Sequence, residues 1–251
     1  MIGFFTSSPS GPLDNSRTVL GLDPMNHFVD NLSKYWPQHA RVLMITAFPQ
    51  DDAANDQMVG FFAGAIDDAG LPLETLDLWD HRATNKTLRN LLSYHVIMLG
   101  GGHVPTQNHF FKMLNLRKNI LSYREQRPNG IVIGISAGTM NSADRVYAQP
   151  ELDGEALDPN YRRFISGLGL THTNILPHYQ MVKNNMLDGM RLYEDITYPD
   201  SMGRRFLILP DGSYLLSEHG KESVWGEAYV LSNGKITQIS RENDVMPWNN
   251  D

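Results

Sequence analysis

The sequence predicts a single α/β domain over residues 1–251, with a mostly parallel sheet followed by antiparallel strands near the C-terminus. Short apolar runs alternate with helix-length segments between residues 41 and 135, and strands separated by such helices form right-handed crossovers in a parallel sheet. From residue 206 onward, short strand-like runs are divided by Asp-Gly, His-Gly and Asn-Gly turns, which are typical of antiparallel hairpins. No internal repeat or low-complexity linker divides the chain.

The parallel part is predicted from four apolar runs and from the helical periodicity between them. In the first intervening segment, Met58, Phe62 and Ala65 recur at the spacing of one helical face. Strands are predicted at residues 41–47, 72–78, 95–99 and 131–135, and helices at residues 53–69, 85–94 and 107–122.

The C-terminal part is predicted from shorter runs with turn residues between them. A short extended segment at residues 145–148 precedes this part and ends at a Gln-Pro pair. The predicted antiparallel strands lie at residues 206–210, 213–217, 222–225, 228–231 and 235–239.

Composition limits the classes of function. With 41% hydrophobic residues, 20% charged residues and a net charge of −7, the chain resembles ordinary soluble globular proteins. A role on nucleic acid or on anionic membranes is disfavoured, because phosphates and acidic lipids repel an acidic protein. The sequence has neither an apolar run of about 18 residues nor a signal-peptide pattern, so a cytoplasmic location is expected.

The run from residue 131 to residue 140 is the most informative stretch for function. Three β-branched residues lead into Gly-Ile-Ser-Ala-Gly at residues 134–138, and a helix-compatible segment follows. This pattern is typical of a nucleophile elbow, where a serine sits on a tight turn between a buried strand and a helix. Ser136 is therefore the candidate nucleophile, and a plain strand–turn–helix corner is the alternative.

The absence of cysteine narrows the chemistry of this elbow. The chain contains no cysteine, which excludes disulfides, thiolate metal sites and cysteine nucleophiles. A strand-elbow-helix layout also suits cysteine-dependent amidotransferases, so this exclusion leaves a hydroxyl as the only available elbow nucleophile.

A Gly-Gly-Gly turn at residues 100–102 closes the third predicted strand. Ligands bind beyond the carboxyl ends of the strands in such sheets, and glycine lets backbone N–H groups approach a ligand closely. We therefore predict that the N–H groups of Gly102 and Ala137 hold the oxyanion that forms when the serine attacks. A tight, flexible turn without a chemical role is the alternative.

A serine nucleophile needs a base, and the chain has nine histidines. His178 follows a short apolar run and Pro177, and the proline restrains the backbone just before the imidazole. His103, beside the glycine turn, is the main alternative. No His or carboxylate cluster with metal-ligand spacing lies near the elbow in the sequence, so neither a metal nor another cofactor is predicted.

Four motifs in this order resemble the aspartyl dipeptidase and cyanophycinase family of serine peptidases. They span much of the sequence between Arg41 and Ile239, and their order makes the resemblance fairly specific. They are the Gly-Gly-Gly turn at 100–102, Gly-Ile-Ser-Ala-Gly at 134–138, the segment from Gly-Leu-Gly-Leu at 167–170 to Pro-His-Tyr at 177–179, and Leu-Pro-Asp-Gly-Ser-Tyr at 209–214.

The resemblance implies a class I glutamine amidotransferase-like fold, a mostly parallel three-layer sandwich of the flavodoxin-like type. It also implies a Ser-His-Asp/Glu triad that cleaves short peptides of the aspartyl dipeptide or β-aspartyl type through an acyl-enzyme. Two departures bear on the substrate. His103 stands where the dipeptidases carry asparagine, and the segment at residues 152–163 lengthens the stretch between Ser136 and His178.

The acid that orients His178 is sought between the nucleophile and the base. The extended segment at 145–148 would present Glu151 at its end, and an ungapped comparison with the dipeptidases places Glu151 at their aspartate. The predicted triad is therefore Ser136, His178 and Glu151. Glu155 and Asp153 are the alternatives for the acid, because the longer insertion shifts the register, and each could also be a solvated loop carboxylate.

The expected function is hydrolysis of small peptides by a serine peptidase, with a small peptide as partner and a homodimer as the candidate assembly. Two other classes of function remain open at this point. One is a non-catalytic ligand-binding or regulatory protein on the same fold, and the other is an amidase or esterase for non-peptide substrates. Labelling by a fluorophosphonate separates the first from both enzymes, because only an activated serine reacts with it.

Overall fold

The computed structural model describes residues 1–11, 21–83 and 87–249. A 3₁₀ turn at Met25–His27 and a π-helical segment at Leu192–Thr197 accompany the regular elements. The helices are α1 Phe28–Tyr35, α2 Asp52–Asp68, α3 Leu88–Leu91, α4 Val104–Met113, α5 Leu116–Gln126, α6 Ala137–Asn141, α7 Tyr179–Val182 and α8 Tyr198–Asp200. The strands are β1 Ile2–Thr6, β2 Ala40–Ile45, β3 Leu73–Trp79, β4 Val96–Leu99, β5 Ile131–Ile135, β6 Arg145–Tyr147, β7 Phe164–Ser166, β8 Asn174–Leu176, β9 Met186–Leu187, β10 Met190–Arg191, β11 Arg205–Ile208, β12 Tyr214–Glu218, β13 Lys221–Trp225, β14 Ala228–Ser232, β15 Lys235–Ser240 and β16 Val245–Trp248.

The central sheet has the strand order β16-β13-β12-β1-β5-β4-β2-β3. Strands β1, β5, β4, β2 and β3 are parallel to one another, and β12, β13 and β16 extend the sheet in antiparallel fashion. A second sheet has the order β15-β14-β11-β8, in which β8 and β11 are parallel. The predicted mostly parallel α/β fold with antiparallel C-terminal strands is confirmed.

The alternation of side chains along the central strands produces a hydrophobic core on each face of the sheet. On one face, Leu43 and Ile97 pack with apolar side chains of α4 and α5. On the other face, Val42 and Met98 pack with apolar side chains of α1 and α2. Helices therefore cover both faces, which gives the three layers of an α/β sandwich. In the described part of the chain, no helix is long and apolar enough to cross a membrane.

Strand β1 is the main element that the sequence did not predict. All five of its residues are buried, and it lies between β5 and β12. Serine, glycine and proline residues between positions 7 and 12 interrupt this apolar run at once, so the sequence pattern does not mark it as a strand. Its position matters for the site, because its carboxyl end lies next to that of β5.

Two predicted helices differ from those in the structure. The helix predicted at 107–122 is two helices, α4 and α5, because Asn115 adopts a left-handed conformation with φ of 50° between them. The helix predicted at 85–94 is reduced to α3, and residues 85 and 86 of that prediction lie outside the described residues.

Gly138 offers a test of how the elbow helix packs on the sheet. An added Cβ would lie 2.1 Å from the carbonyl oxygen of Leu99. Because this oxygen belongs to the backbone of β4, it cannot move aside as a flexible side chain could. We expect Gly138→Ala to lower the free energy of unfolding by about 3 kcal/mol. In α2, an added Cβ at Gly64 meets nothing within 4 Å, so Gly64→Ala should raise the free energy of unfolding by about 0.5–1 kcal/mol. Urea denaturation of both variants measures the difference, and equal effects would contradict this packing.

Candidate active site

The carboxyl ends of five strands contribute residues to one site. In the central sheet, Ser7 follows β1, the glycine turn at 100–102 follows β4, and Ser136 follows β5. In the second sheet, His178 follows β8 and Asp211 follows β11. Because each of these strands is parallel to its neighbour in this group, their carboxyl ends lie at one edge of each sheet, where α/β proteins bind ligands.

Ser136 occupies the tight turn that the sequence predicts between β5 and α6. Its backbone angles are φ 50° and ψ −109°, a conformation that side-chain-bearing residues rarely adopt. Hydrogen bonds to the carbonyl oxygen of Thr6 stabilise the turn, from the Ser136 N–H at 3.2 Å and from Thr139 Oγ1 at 2.7 Å. Glycine at position 134 is required because an added Cβ would lie 2.7 Å from Thr139 Oγ1.

His178 contacts Ser136 with one ring nitrogen and Asp211 with the other. Nε2 lies 2.8 Å from Ser136 Oγ, and Nδ1 lies 2.6 Å from Asp211 Oδ1. An ionised carboxylate can only accept hydrogen bonds, so Nδ1 of His178 carries the proton. Nε2 is then free to accept the hydroxyl proton of the serine. His178 has a left-handed backbone with φ of 59°, and its N–H donates to Ser7 Oγ at 2.8 Å.

The side chain of Asp211 is fully buried and held by several donors. Besides contacting His178, Oδ1 accepts a hydrogen bond from Ser7 Oγ at 2.6 Å. Oδ2 accepts one from Gln180 Nε2 at 2.6 Å, and the Asp211 N–H donates to Gln180 Oε1 at 3.0 Å. A buried charge requires such partners, and the donors fix the carboxylate in one orientation against the imidazole.

The prediction that Glu151 contacts the imidazole is corrected, since Asp211 occupies that position. Glu151 is exposed at the rim of the same cavity, and its carboxylate makes no hydrogen bond to any residue in the described ranges. Partial desolvation by the surrounding protein raises the pKa of Glu151, and the charge of Glu155 adds to this shift, whereas His103 and His178 oppose it. The segment that follows β6 therefore brings Glu151 to the rim of the cavity but not to Nδ1 of His178.

His103 and Glu155, the alternatives for base and acid, bind each other instead. His103 Nε2 lies 2.9 Å from Glu155 Oε1, and Nδ1 lies 2.8 Å from Thr106 Oγ1. Glu155 Oε2 accepts hydrogen bonds from the N–H groups of Glu151 and Leu152 at 2.9 and 3.0 Å. This pair anchors the loop that carries Glu151. Asp153, the remaining alternative acid, is exposed.

The glycine turn after β4 packs directly against the elbow. An added Cβ at Gly101 would lie 3.4 Å from Cβ of Ser136, and one at Gly102 would lie 2.4 Å from the ring of Phe48. Gly102 has φ of 145°, a conformation that favours glycine. Within the described residues, the N–H groups of Gly102 and Ala137 have no hydrogen-bond acceptor, so both are free to bind a ligand oxygen.

Ser136 and His178 open into a cavity with mainly apolar walls. Within the described ranges, neither lysine nor arginine lines it. Its lining residues are Gly102, Val104, Ser136, Met140, Gln149, Pro150, Glu151, Pro177, His178, Val182, Asn185, Met186, Leu187 and Leu192.

A separate cluster at the end of β3 has the donor types of a metal site. Ligand atoms of Asp52, Asp80 and His81 lie within 4.8 Å of one another. Arg82 already pairs with both carboxylates of this cluster, with nitrogen atoms 2.7 Å from Asp80 Oδ2 and 3.6 Å from Asp52 Oδ1. Strand β3 is three strands away from β5, roughly 14 Å at normal strand spacing. The cluster is therefore an ion-pair network apart from Ser136.

Asp211, Ser7 and Gln180 are the site residues that the sequence did not predict. Asp211 had a signal, because it follows an apolar run and Pro210, as His178 follows Pro177. The sequence analysis predicts an acid between Ser136 and His178, whereas Asp211 lies beyond both in the chain. Ser7 had no signal, since β1 itself was not predicted.

Comparisons with known proteins agree with this fold. The sequence model of Peptidase family S51 matches residues 25–223, which confirms the resemblance found in the sequence. The structure is similar to that of a peptidase from an acI-B1 Actinobacterium, with a TM-score of 0.67 and 14% identity over 98% of this chain and 96% of that chain. A candidate peptidase E protein from Listeria monocytogenes EGD-e has a TM-score of 0.51 and 16% identity over 95% and 98% of the two chains. No curated protein sequence is significantly similar to the chain.

Proposed function

The chain belongs to peptidase family S51 and is a serine-type peptidase, and we propose that it hydrolyses short peptides with Ser136, His178 and Asp211 as its catalytic triad. The observation that carries this proposal is the continuous contact from Ser136 Oγ through both ring nitrogens of His178 to Asp211, at 2.8 and 2.6 Å. Such a constellation is recognised by its geometry and not by its order in the chain.

In the acylation step, Oγ of Ser136 attacks the carbonyl carbon of the peptide bond while its proton passes to Nε2 of His178. The tetrahedral intermediate carries its negative charge on the former carbonyl oxygen. When the C–N bond breaks, the imidazolium gives its proton to the leaving amine, and the acyl group remains on Ser136. Water then attacks the ester with His178 as the base, which releases the acid product and restores the serine hydroxyl.

Asp211 accepts a hydrogen bond from the Nδ1–H of His178 throughout this cycle and stays ionised. Its charge stabilises the imidazolium, and the hydrogen bond keeps Nε2 directed at Ser136. Ser7 and Gln180 act as positioning residues, because each donates a hydrogen bond to Asp211 and neither forms one with Ser136 among the described residues.

The proposed oxyanion donors are the N–H groups of Gly102 and Ala137. Support comes from their free N–H groups and from the packing of the glycine turn against Ser136. Preorganised donors of this kind stabilise the charge that develops on the carbonyl oxygen.

Aspartyl dipeptides and β-aspartyl peptides are the substrates that the family resemblance implies, so they are the first to assay. The proposal is tested by reaction with a fluorophosphonate, followed by mapping of the modified residue by mass spectrometry. A single adduct on Ser136 is expected, since only an activated serine reacts. An unlabelled, folded protein that also fails to cleave a dipeptide library would refute the proposed activity.

Ser7 provides a test of the positioning role. We expect Ser7→Ala to lower kcat about tenfold with little change in KM, because loss of one hydrogen bond to a charged group loosens Asp211 and His178 together. Ser7→Thr keeps the hydroxyl and should retain most of the activity. Steady-state kinetics and Tm of both variants separate this effect from unfolding. An equal loss of kcat in Ser7→Thr, with an unchanged Tm, would contradict the role of the hydroxyl.

A further inference from the structure

We propose that the cavity beside Ser136 selects short peptides with a free α-ammonium group and an apolar N-terminal side chain, and that Glu151 binds the ammonium. This inference rests on the proposed function, because it takes Ser136 as the attacking group. It differs from the aspartyl specificity that the family resemblance implies.

The cavity walls favour an apolar side chain on the residue that Ser136 acylates. Met140, Val182, Leu187 and Leu192 line the cavity beside Ser136, and Met186 at the same cavity is 59% exposed. An apolar side chain bound against these residues removes apolar surface from water on both partners, which is the main source of affinity in such pockets.

An aspartyl side chain would lack a counter-charge in this cavity. The described lining residues include neither lysine nor arginine, and their one carboxylate belongs to Glu151. A second carboxylate near it would lose its hydration and be repelled.

Two cations that neighbour the lining residues in the chain contact other side chains at the surface. Arg191 forms an ion pair with Asp195 at 2.6 Å, and the ammonium of Lys183 lies over the ring of Tyr179 at 5.9 Å from its centroid. Neither side chain lines the cavity, so neither supplies the missing counter-charge.

Glu151 has the position and the chemistry to bind an ammonium group. Its backbone N–H is fixed by Glu155, which His103 holds in turn, while its carboxylate has no hydrogen-bond partner among the described residues. When Ser136 attacks the first peptide bond of a short peptide, the α-ammonium is two bonds from the attacked carbonyl carbon. This short separation keeps the ammonium close to the cavity that Ser136, His178 and Glu151 line. Glu151 is exposed at the rim of the cavity, where partial desolvation raises its pKa and a bound cation would favour its charged form.

Four peptides test the proposal on the wild-type protein: Leu-Leu, Met-Leu, Asp-Leu and N-acetyl-Leu-Leu. We expect kcat/KM for Leu-Leu and Met-Leu to exceed that for Asp-Leu by at least about tenfold. Acetylation removes the charge that Glu151 binds, so it should lower kcat/KM about 10- to 100-fold. Faster cleavage of Asp-Leu, or equal cleavage of the free and acetylated peptides, would overturn the proposal.

Glu151→Gln should reduce the ratio of kcat/KM between Leu-Leu and N-acetyl-Leu-Leu by at least about tenfold. Asp153→Asn is the matched control, since it removes a charge from the same loop outside the cavity and should keep the wild-type ratio. A wild-type ratio in Glu151→Gln would overturn the role of Glu151.

Fluorophosphonate labelling of Ser136 distinguishes failure of the proposed specificity from failure of the proposed function. Labelling together with a preference for Asp-Leu refutes only the specificity, whereas no labelling and no cleavage of any peptide refutes the proposed function.

Discussion

Ser136→Ala is expected to abolish peptide hydrolysis, with kcat falling about 10⁶-fold. The remaining groups still bind the peptide and hold the oxyanion, but the acyl-enzyme has no atom on which to form. The fold should survive, because the hydroxyl forms a hydrogen bond only with His178 among the described residues, and such a bond contributes about 1 kcal/mol to stability. Hydrolysis of the best dipeptide by the purified variant, followed by chromatography of the products, measures the loss.

The control for this variant is Ser166→Ala, since Ser166 is exposed and lies outside the cavity. It should retain wild-type kcat, KM and fluorophosphonate labelling. A folded Ser136→Ala protein that keeps more than a few per cent of wild-type kcat would contradict the assignment of the nucleophile. Circular dichroism and Tm of both variants establish that they are folded.

Much of the fold could be predicted from the sequence because hydrophobic patterning specifies it locally. The apolar runs that form β2, β4 and β5 are buried in the centre of the sheet, and such runs are typical of parallel strands. Strand β1 escaped prediction because its five residues acquire their role only from β5 and β12 on either side. Asn115, which separates α4 from α5, was missed because no glycine or proline marks the break.

Some residues of the candidate site can be predicted from short sequence patterns, and others depend on contacts between distant parts of the chain. Ser136 and His178 were predicted from patterns of a few residues around each of them. Asp211 lies 33 residues beyond His178, and it reaches the imidazole because β8 and β11 pair in parallel in the second sheet. Ser7 is 171 residues from His178. Contacts between residues so far apart in the chain are not visible in local periodicity, so the sequence pattern predicts the acid on the wrong side of His178.

Asp211→Asn is expected to lower kcat about 10⁴-fold with little change in KM. The amide of asparagine is neutral and can donate to Nδ1, which favours the tautomer that carries its proton on Nε2. That tautomer cannot accept the proton of Ser136, and the imidazolium loses its counter-charge. Because Ser7 and Gln180 both donate to this buried side chain, a fall in Tm is also expected. Kinetics are therefore measured well below the Tm of the variant.

Glu151→Gln is the matched comparison for Asp211→Asn, since each variant replaces one carboxylate with its amide. On a neutral activated ester, which has no ammonium group, Glu151→Gln should lose less than about tenfold in kcat, because Glu151 does not contact His178 in the structure. Asp211→Asn should remain severely impaired on the same ester, because its defect lies in the proton transfer that every substrate needs. Near-normal turnover of the ester by Asp211→Asn, with collapse in Glu151→Gln, would return the orienting role to Glu151. It would also mean that the loop after β6 moves toward His178 before catalysis.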